Sequence, residues 1–99
     1  MKCLVFSAKP YDRLYLEPKA REAGHELDFI ETRINNKTCR LAEGYSAICT
    51  FVNDMLDAEI LEAIHRAGIR LITLRCAGYN QVNLPKAQEL GFKITRVPA

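Results

Sequence analysis

An α/β domain, built on a five-stranded parallel sheet in the order 2-1-3-4-5 with helices on both faces, is the fold this sequence predicts. Four of its five glycines, Gly24, Gly44, Gly68 and Gly91, each follow a helix-like stretch and precede a strand-like run. Glycine is favoured just past a helix end because it takes the left-handed conformation cheaply. The glycines recur about one helix plus one strand apart, the rhythm of β–α units. The strand-like runs supply the second observation: the central ones are almost continuously apolar, as strands buried on both faces must be. The outer runs alternate, as strands nearer an edge do.

Taken in order, Cys3 to Phe6 is the first buried run and His25 to Ile30 the alternating second. Ala47 to Val52 and Ile69 to Leu74 are again buried, and Phe92 to Val97 alternates at the other edge. Right-handed crossovers between such strands give a flavodoxin-like arrangement. Among the helices, Asp57 to Ala67 is the best defined. It has an Asp cap, Glu59 in the first turn, Ile60, Leu61 and Ile64 on one face, and His65 and Arg66 near its end. Leu84, Ala87 and Leu90 recur at helical spacing behind Asn83, a natural N-cap, with Pro85 tolerated in the first turn. Asn36 to Glu43 predicts a short helix. Asp12 to Ala23 contains Pro18, so it predicts either a turn at Asp12 with a helix from Glu17, or one longer helix kinked at the proline.

Ninety-nine residues suffice for one domain with an adequate core. A hydrophobic fraction of 48% and a charged fraction of 26% are those of an ordinary globular chain. The net charge of +2 is too small to argue for nucleic acid or a membrane surface. No run approaches the roughly 18–20 apolar residues of a membrane span, and nothing near Met1 resembles a signal peptide. Cys3, Cys39, Cys49 and Cys76 show no paired or zinc-ligand spacing, which fits a reduced, cytoplasmic protein without a metal.

The stretch around which the rest is organised is Arg75-Cys76-Ala77-Gly78-Tyr79-Asn80-Gln81-Val82-Asn83-Leu84. A strand, a glycine turn and a helix start leave backbone N–H groups pointing outward, a small anion site made of peptide. Its wording resembles the arginine, small residue, glycine and Asn/Asp-rich loop of the D-isomer-specific 2-hydroxyacid dehydrogenases, and among them the fermentative D-lactate dehydrogenases. Lys9-Pro10-Tyr11-Asp12, Phe51-Val52-Asn53-Asp54 and the closing Arg96-Val97-Pro98-Ala99 resemble that family too. The family often has Asp where Asn83 stands; both residues cap helices. The resemblance covers nearly the whole chain but only about the first third of such an enzyme. Residues 1–99 are therefore expected to be a substrate-binding domain fragment, with the nucleotide-binding domain absent. No G-x-G-x-x-G occurs in the sequence.

In open α/β sheets, ligands bind beyond the carboxyl ends of the strands, where strand order reverses. Ser7 to Asp12, Phe51 to Asp54 and Cys76 to Gln81 gather there. The resemblance implies that the loop from Cys76, through the amides of Ala77 and Gly78, holds the carboxylate of a 2-keto or 2-hydroxy acid. It implies that Phe51 packs near the substrate's own side chain and favours a small one such as pyruvate; a strand-end core aromatic is the other reading of Phe51. Tyr11 and Tyr79 either line the cleft or lie on the surface. Arg75 is expected to brace the loop through carbonyls or a neighbouring carboxylate, because the family's carbonyl-polarising arginine belongs to the nucleotide domain. His25 and His65 fall outside the candidate loops. No catalytic residue is assigned to this chain. The complete protein is expected to interconvert pyruvate and D-lactate with NAD, which the fragment alone does not bind. The fragment's partners would then be its substrate and the nucleotide domain, with no nucleic acid or membrane. A stand-alone carboxylate-binding or protein-interaction module of the same fold is the alternative.

Overall fold

The structure is a computed structural model in which residues 2–51, 54–75 and 81–96 are described. Strand β1 (Lys2–Val5) is followed by α1 (Pro10–Glu22), β2 (Glu26–Phe29), a 3₁₀ turn (Thr38–Ala42), β3 (Ala47–Thr50), α2 (Ala58–Arg66), β4 (Leu71–Leu74), α3 (Leu84–Leu90) and β5 (Lys93–Arg96). All four strand pairings are parallel and the order is β2-β1-β3-β4-β5, as the sequence predicts. Strand order reverses at β1, so the carboxyl ends of β1 and β3 lie side by side, with Val5 opposite Cys49.

The pleat sends alternate residues to opposite faces. Leu4, Phe6, Ile48, Ile72 and Leu74 meet Ile60, Leu61 and Ile64 of α2, Ala87 of α3, and Cys39 and Ala42 of the 3₁₀ turn, forming the main core. The other face carries Cys3, Val5, Ala47 and Cys49, with Leu27, Phe29 and Leu71 packed against them. Helix α1 lies over that face, where Leu16, Ala20 and Ala23 edge an open groove of about 340 Å³ above Cys3, Val5 and Leu71. Full burial of a side chain such as Leu61 or Ile64 contributes about 1.5–3 kcal/mol, so α2 fastens more firmly than α1, whose only buried residue is Asp12.

The helix starts follow their caps. The Asp57 carboxylate accepts from the Ile60 N–H at 2.9 Å, and the Asn83 side chain accepts from the Lys86 N–H at 3.1 Å. Gly91 closes α3 at φ 83°, where a side chain would be strained. Of the two readings of the first helix, the longer one holds: α1 starts at Pro10 and runs through Pro18. Asp12 makes the earlier start possible, its carboxylate accepting from the Lys9 N–H at 2.7 Å. The short helix expected over Asn36 to Glu43 is only the 3₁₀ turn Thr38–Ala42. The Asn35 side chain accepts from the N–H groups of Lys37 and Thr38 at 2.8 and 2.9 Å, which ties the chain into a side-chain turn before a longer helix can start. Strand β3 ends at Thr50, short of the predicted Val52, because the Phe51 N–H leaves the ladder for the Asp54 carboxylate.

Candidate functional site

The carboxyl edge of the sheet is held by two buried carboxylates, which accept donors from the connections after β1, β2 and β3 and from Arg75. Asp12 lies in the first turn of α1, and Arg75 is the residue immediately after β4. Their side chains are 12% and 7% exposed, and Nη1 of Arg75 stands 2.5 Å from Oδ2 of Asp12. The other arm of the guanidinium donates to the Phe6 carbonyl and, at 3.5 Å, to that of Ser7. Its Cζ lies 5.1 Å from the centre of the Phe51 ring, within cation–π range. The planar fork of arginine suits this task, engaging a carboxylate and carbonyls at once. Arg75 therefore ties the end of β4 to the end of β1 and the start of α1, the bracing role expected of it.

Asp54 is the second knot. It is fully buried, and its Oδ1 accepts from the Ser7 hydroxyl at 2.8 Å and the Ile34 N–H at 3.0 Å. Its Oδ2 accepts from the Phe51 N–H at 2.8 Å, while its own N–H donates to the Phe51 carbonyl at 2.9 Å. One carboxylate thus joins the connections after β1, β2 and β3. Ser7, held in this way, adopts a left-handed φ of 54°, unusual for a residue with a side chain.

The segment between Arg75 and Gln81 is fixed at both of its ends. The Arg75 N–H donates to the Thr50 carbonyl at 2.9 Å. An isolated parallel bridge pairs Leu56 with Val82: the Leu56 N–H donates to the Gln81 carbonyl at 2.8 Å and the Asn83 N–H to the Leu56 carbonyl at 3.0 Å. The backbone before the predicted anion loop is therefore bound to the last residue of β3, and the backbone after it to Leu56 in the β3–α2 connection.

Of the predicted site residues, Cys76, Ala77 and Gly78 lie outside the described residues, as do Tyr79 and Asn80. Phe51 stands half-buried at this edge with its ring beside Arg75. Tyr11 is 62% exposed in the first turn of α1, with Leu14 and Tyr15 also exposed on the following turn. His65 packs edge-on against Phe92 at 5.7 Å, behind the sheet and away from the three loops. Asp12 and Asp54 are the functional positions that sequence reasoning passed over. Their signal was modest: each is an acidic residue in the connection or first helical turn that follows a strand.

Cys3 and Cys49 are not poised as nucleophiles. Burial raises the Cys3 thiol to about 12, and the nearby Cys49 adds to the effect. Burial likewise raises Cys49 to about 11, against the opposing pull of the Arg75 cation. Both are thiols at neutral pH, and the thiolate is the reactive form. Among the described residues no three His, Cys, Asp or Glu side chains stand together as a metal site. No helix among them is long and apolar enough to cross a membrane.

Comparison with known proteins agrees with this architecture. A family model described as "D-isomer specific 2-hydroxyacid dehydrogenase, catalytic domain" matches residues 3–99. The chain is 44% identical over 99 residues to D-lactate dehydrogenase of Escherichia coli, a match that covers all of this chain and 30% of that protein. The apo structure of that enzyme superposes with a TM-score of 0.95 over 100% of this chain and 31% of its own. Salmonella D-lactate dehydrogenase gives 43% identity and a TM-score of 0.94, covering 100% and 30%. The pyruvate reductase of Chlamydomonas reinhardtii gives 33% identity and a TM-score of 0.88, covering 100% and 29%. The chain thus spans about a third of the length of these relatives.

Proposed function

We propose a function from the premise that this chain belongs to the D-isomer-specific 2-hydroxyacid dehydrogenases, as part of their catalytic domain: it forms the substrate-binding side of an enzyme that interconverts a small 2-keto acid, pyruvate, with its D-2-hydroxy acid, D-lactate. The names of the relatives, two D-lactate dehydrogenases and a pyruvate reductase, support that substrate class. The observation that supports the reading is the pinning of the backbone on either side, the Arg75 N–H on the Thr50 carbonyl and the Gln81 carbonyl on the Leu56 N–H; the Ala77 and Gly78 peptides between them are the proposed clamp. Backbone N–H groups offered there would hold the substrate carboxylate, and Phe51 would form the wall against its methyl group. Tyr11 is proposed at the rim. Residues 1–99 would act as a substrate-binding domain that needs a nucleotide-binding domain to complete the cleft.

NAD would supply or accept the hydride in the complete enzyme. This chain has no glycine-rich phosphate loop to receive it, so no cofactor contact is assigned to its residues. The 99-residue chain alone should accordingly show no saturable NADH binding by calorimetry and no oxidation of D-lactate.

The test is a chimera in which this chain replaces the matching segment of the Escherichia coli enzyme, assayed by pyruvate-dependent oxidation of NADH. Ala77→Pro deletes one N–H donor with little change of side-chain volume, and Ala77→Ser retains the donor as a control. A hydrogen bond to a charged group is worth about 1.5–3 kcal/mol, so kcat/KM should fall about ten- to a hundredfold or somewhat more in the proline variant. A folded chimera that binds NADH but turns over no 2-keto acid would overturn the reading. A folded Ala77→Pro enzyme of near-normal kcat/KM would remove Ala77 from the clamp.

A further inference from the structure

We propose that Asp54 is a positioning residue for substrate selectivity: by fixing the backbone of Phe51 it decides how large a 2-keto acid side chain the cleft admits. The proposal rests on the reading of Phe51 as the wall beside the substrate, and adds to it the group that holds that wall in place.

The geometry points to Asp54 for three reasons. Its carboxylate is fully buried, yet the three groups that donate to it among the described residues, the Ser7 hydroxyl and the N–H groups of Ile34 and Phe51, are all uncharged. A buried carboxylate held by neutral donors is an expensive way to gain stability, since an apolar side chain would fill the space at less cost. The Phe51 peptide is also clamped in both directions by this one residue, through its N–H at 2.8 Å and its carbonyl at 2.9 Å. The ring of Phe51, in turn, is only half-buried and has the Arg75 guanidinium beside it. With its backbone held by Asp54 and its ring beside a guanidinium that is itself fixed by Asp12 and two carbonyls, Phe51 cannot retreat from a bulky substrate.

Asp54→Asn tests the chemistry with least change of shape. The amide presents one oxygen and one NH₂ where the carboxylate presents two acceptors. Turned either way, it sets its NH₂ against one of two backbone N–H groups, Phe51 or Ile34, neither of which can reverse its polarity. The Ser7 hydroxyl can reverse, so Ser7→Ala, which removes that donor and leaves the Phe51 bond intact, is the comparison.

The experiment uses the complete chimeric enzyme and measures kcat/KM for pyruvate and for 4-methyl-2-oxopentanoate, with thermal melts of every variant. Phe51→Ala should lower the pyruvate preference by about tenfold or more, the scale on which a hydrophobic pocket discriminates by size. Asp54→Asn and Asp54→Ala should move the preference in the same direction by about three- to tenfold, chiefly through a lower KM for the larger acid. Ser7→Ala should leave the ratio within about twofold of the parent chimera. A merely structural residue would lower the activity on both acids together and leave the ratio unmoved. If Phe51→Ala itself leaves the preference unchanged, the wall reading fails, and the positioning role falls with it. If Phe51→Ala shifts the preference and the Asp54 variants, folded and assayed well below their own Tm, do not, only the positioning role is overturned. Loss of a cooperative melt in both Asp54 variants also counts against the proposal, because the residue would then serve folding alone.

Discussion

Removing the carboxylate of Asp12 is the most severe single test of the carboxyl edge. Asp12→Ala leaves the Arg75 guanidinium, 7% exposed, without its counter-ion in a place water scarcely reaches. Breaking a buried pair from one side costs about 3–5 kcal/mol, because the remaining charge stays desolvated and unpaired. The lost acceptor for the Lys9 N–H at the start of α1 belongs within that range, since a missing cap is worth about 1 kcal/mol. A domain of this size has a total stability of about 5–15 kcal/mol, so the variant should fold but stand close to its limit. With a urea dependence of about 1.5 kcal/mol per molar, the unfolding midpoint should fall by about 2–3 M. Replacing both partners, Asp12→Leu with Arg75→Met, should recover most of the loss, since an apolar pair of similar volume avoids the desolvation of both charges. Urea unfolding followed by far-UV circular dichroism measures all three proteins. A loss below about 1 kcal/mol in Asp12→Ala would place the pair among solvated surface pairs and refute the bracing role.

Two further outcomes follow from the core and from the thiols. Leu61→Ala, at a fully buried position of α2, should cost about 2–5 kcal/mol, whereas Leu41→Ala, half-exposed on the 3₁₀ turn, should stay within about 0.5 kcal/mol of the parent in the same urea experiment. Stability should also decline with alkali above about pH 9. The Cys3 and Cys49 thiols are raised from 9.0 to about 12 and about 11 by burial, so the unfolded chain loses these protons first. Their contribution is complete below pH 9 and is lost as pH climbs through the folded values. Cys3→Ala/Cys49→Ala should flatten that decline, and an unchanged slope would mean that the thiols are not the groups responsible.

The fold was legible because its signals are local and repeated. Apolar runs, caps such as Asp57 and Asn83, and glycines behind each helix all state the same alternation, and agreement between levels is what makes a sequence specify one structure. Element lengths were less legible where a side chain competes with the backbone. Asn35 diverts two N–H groups and reduces the expected helix to a 3₁₀ turn, and Asp54 draws Phe51 off the end of β3. Pro18 left open a turn followed by a helix or one longer helix, and the longer one holds because the proline costs α1 only one hydrogen bond, from a position whose would-be acceptor residue, Leu14, is 81% exposed and able to meet water. At the site, the sequence displayed the loop but hid its supports. Arg75 and Asp12 are 63 positions apart, and Ser7 and Asp54 47 apart, so no periodicity or motif could pair them.

Those supports bear on which atoms remain to meet a ligand. The guanidinium of Arg75 is engaged by Asp12 and by the carbonyls of Phe6 and Ser7. The carboxylate of Asp54 is filled by three donors. The charges of Arg75 and Asp54 are thus directed inward and join one strand end to the next, while Lys9 at the same edge stays exposed. Had Arg75 been the anion's ligand, its fork would have to leave Asp12 in the bound state, exposing a buried carboxylate at a cost comparable with the gain. Peptide N–H groups bring no such conflict of charge, and the backbone on either side of residues 76–80 is pinned at Thr50 and Leu56. That division, side chains for support and backbone for recognition, is why the proposed clamp is sought in the Ala77 and Gly78 peptides rather than in the arginine beside them.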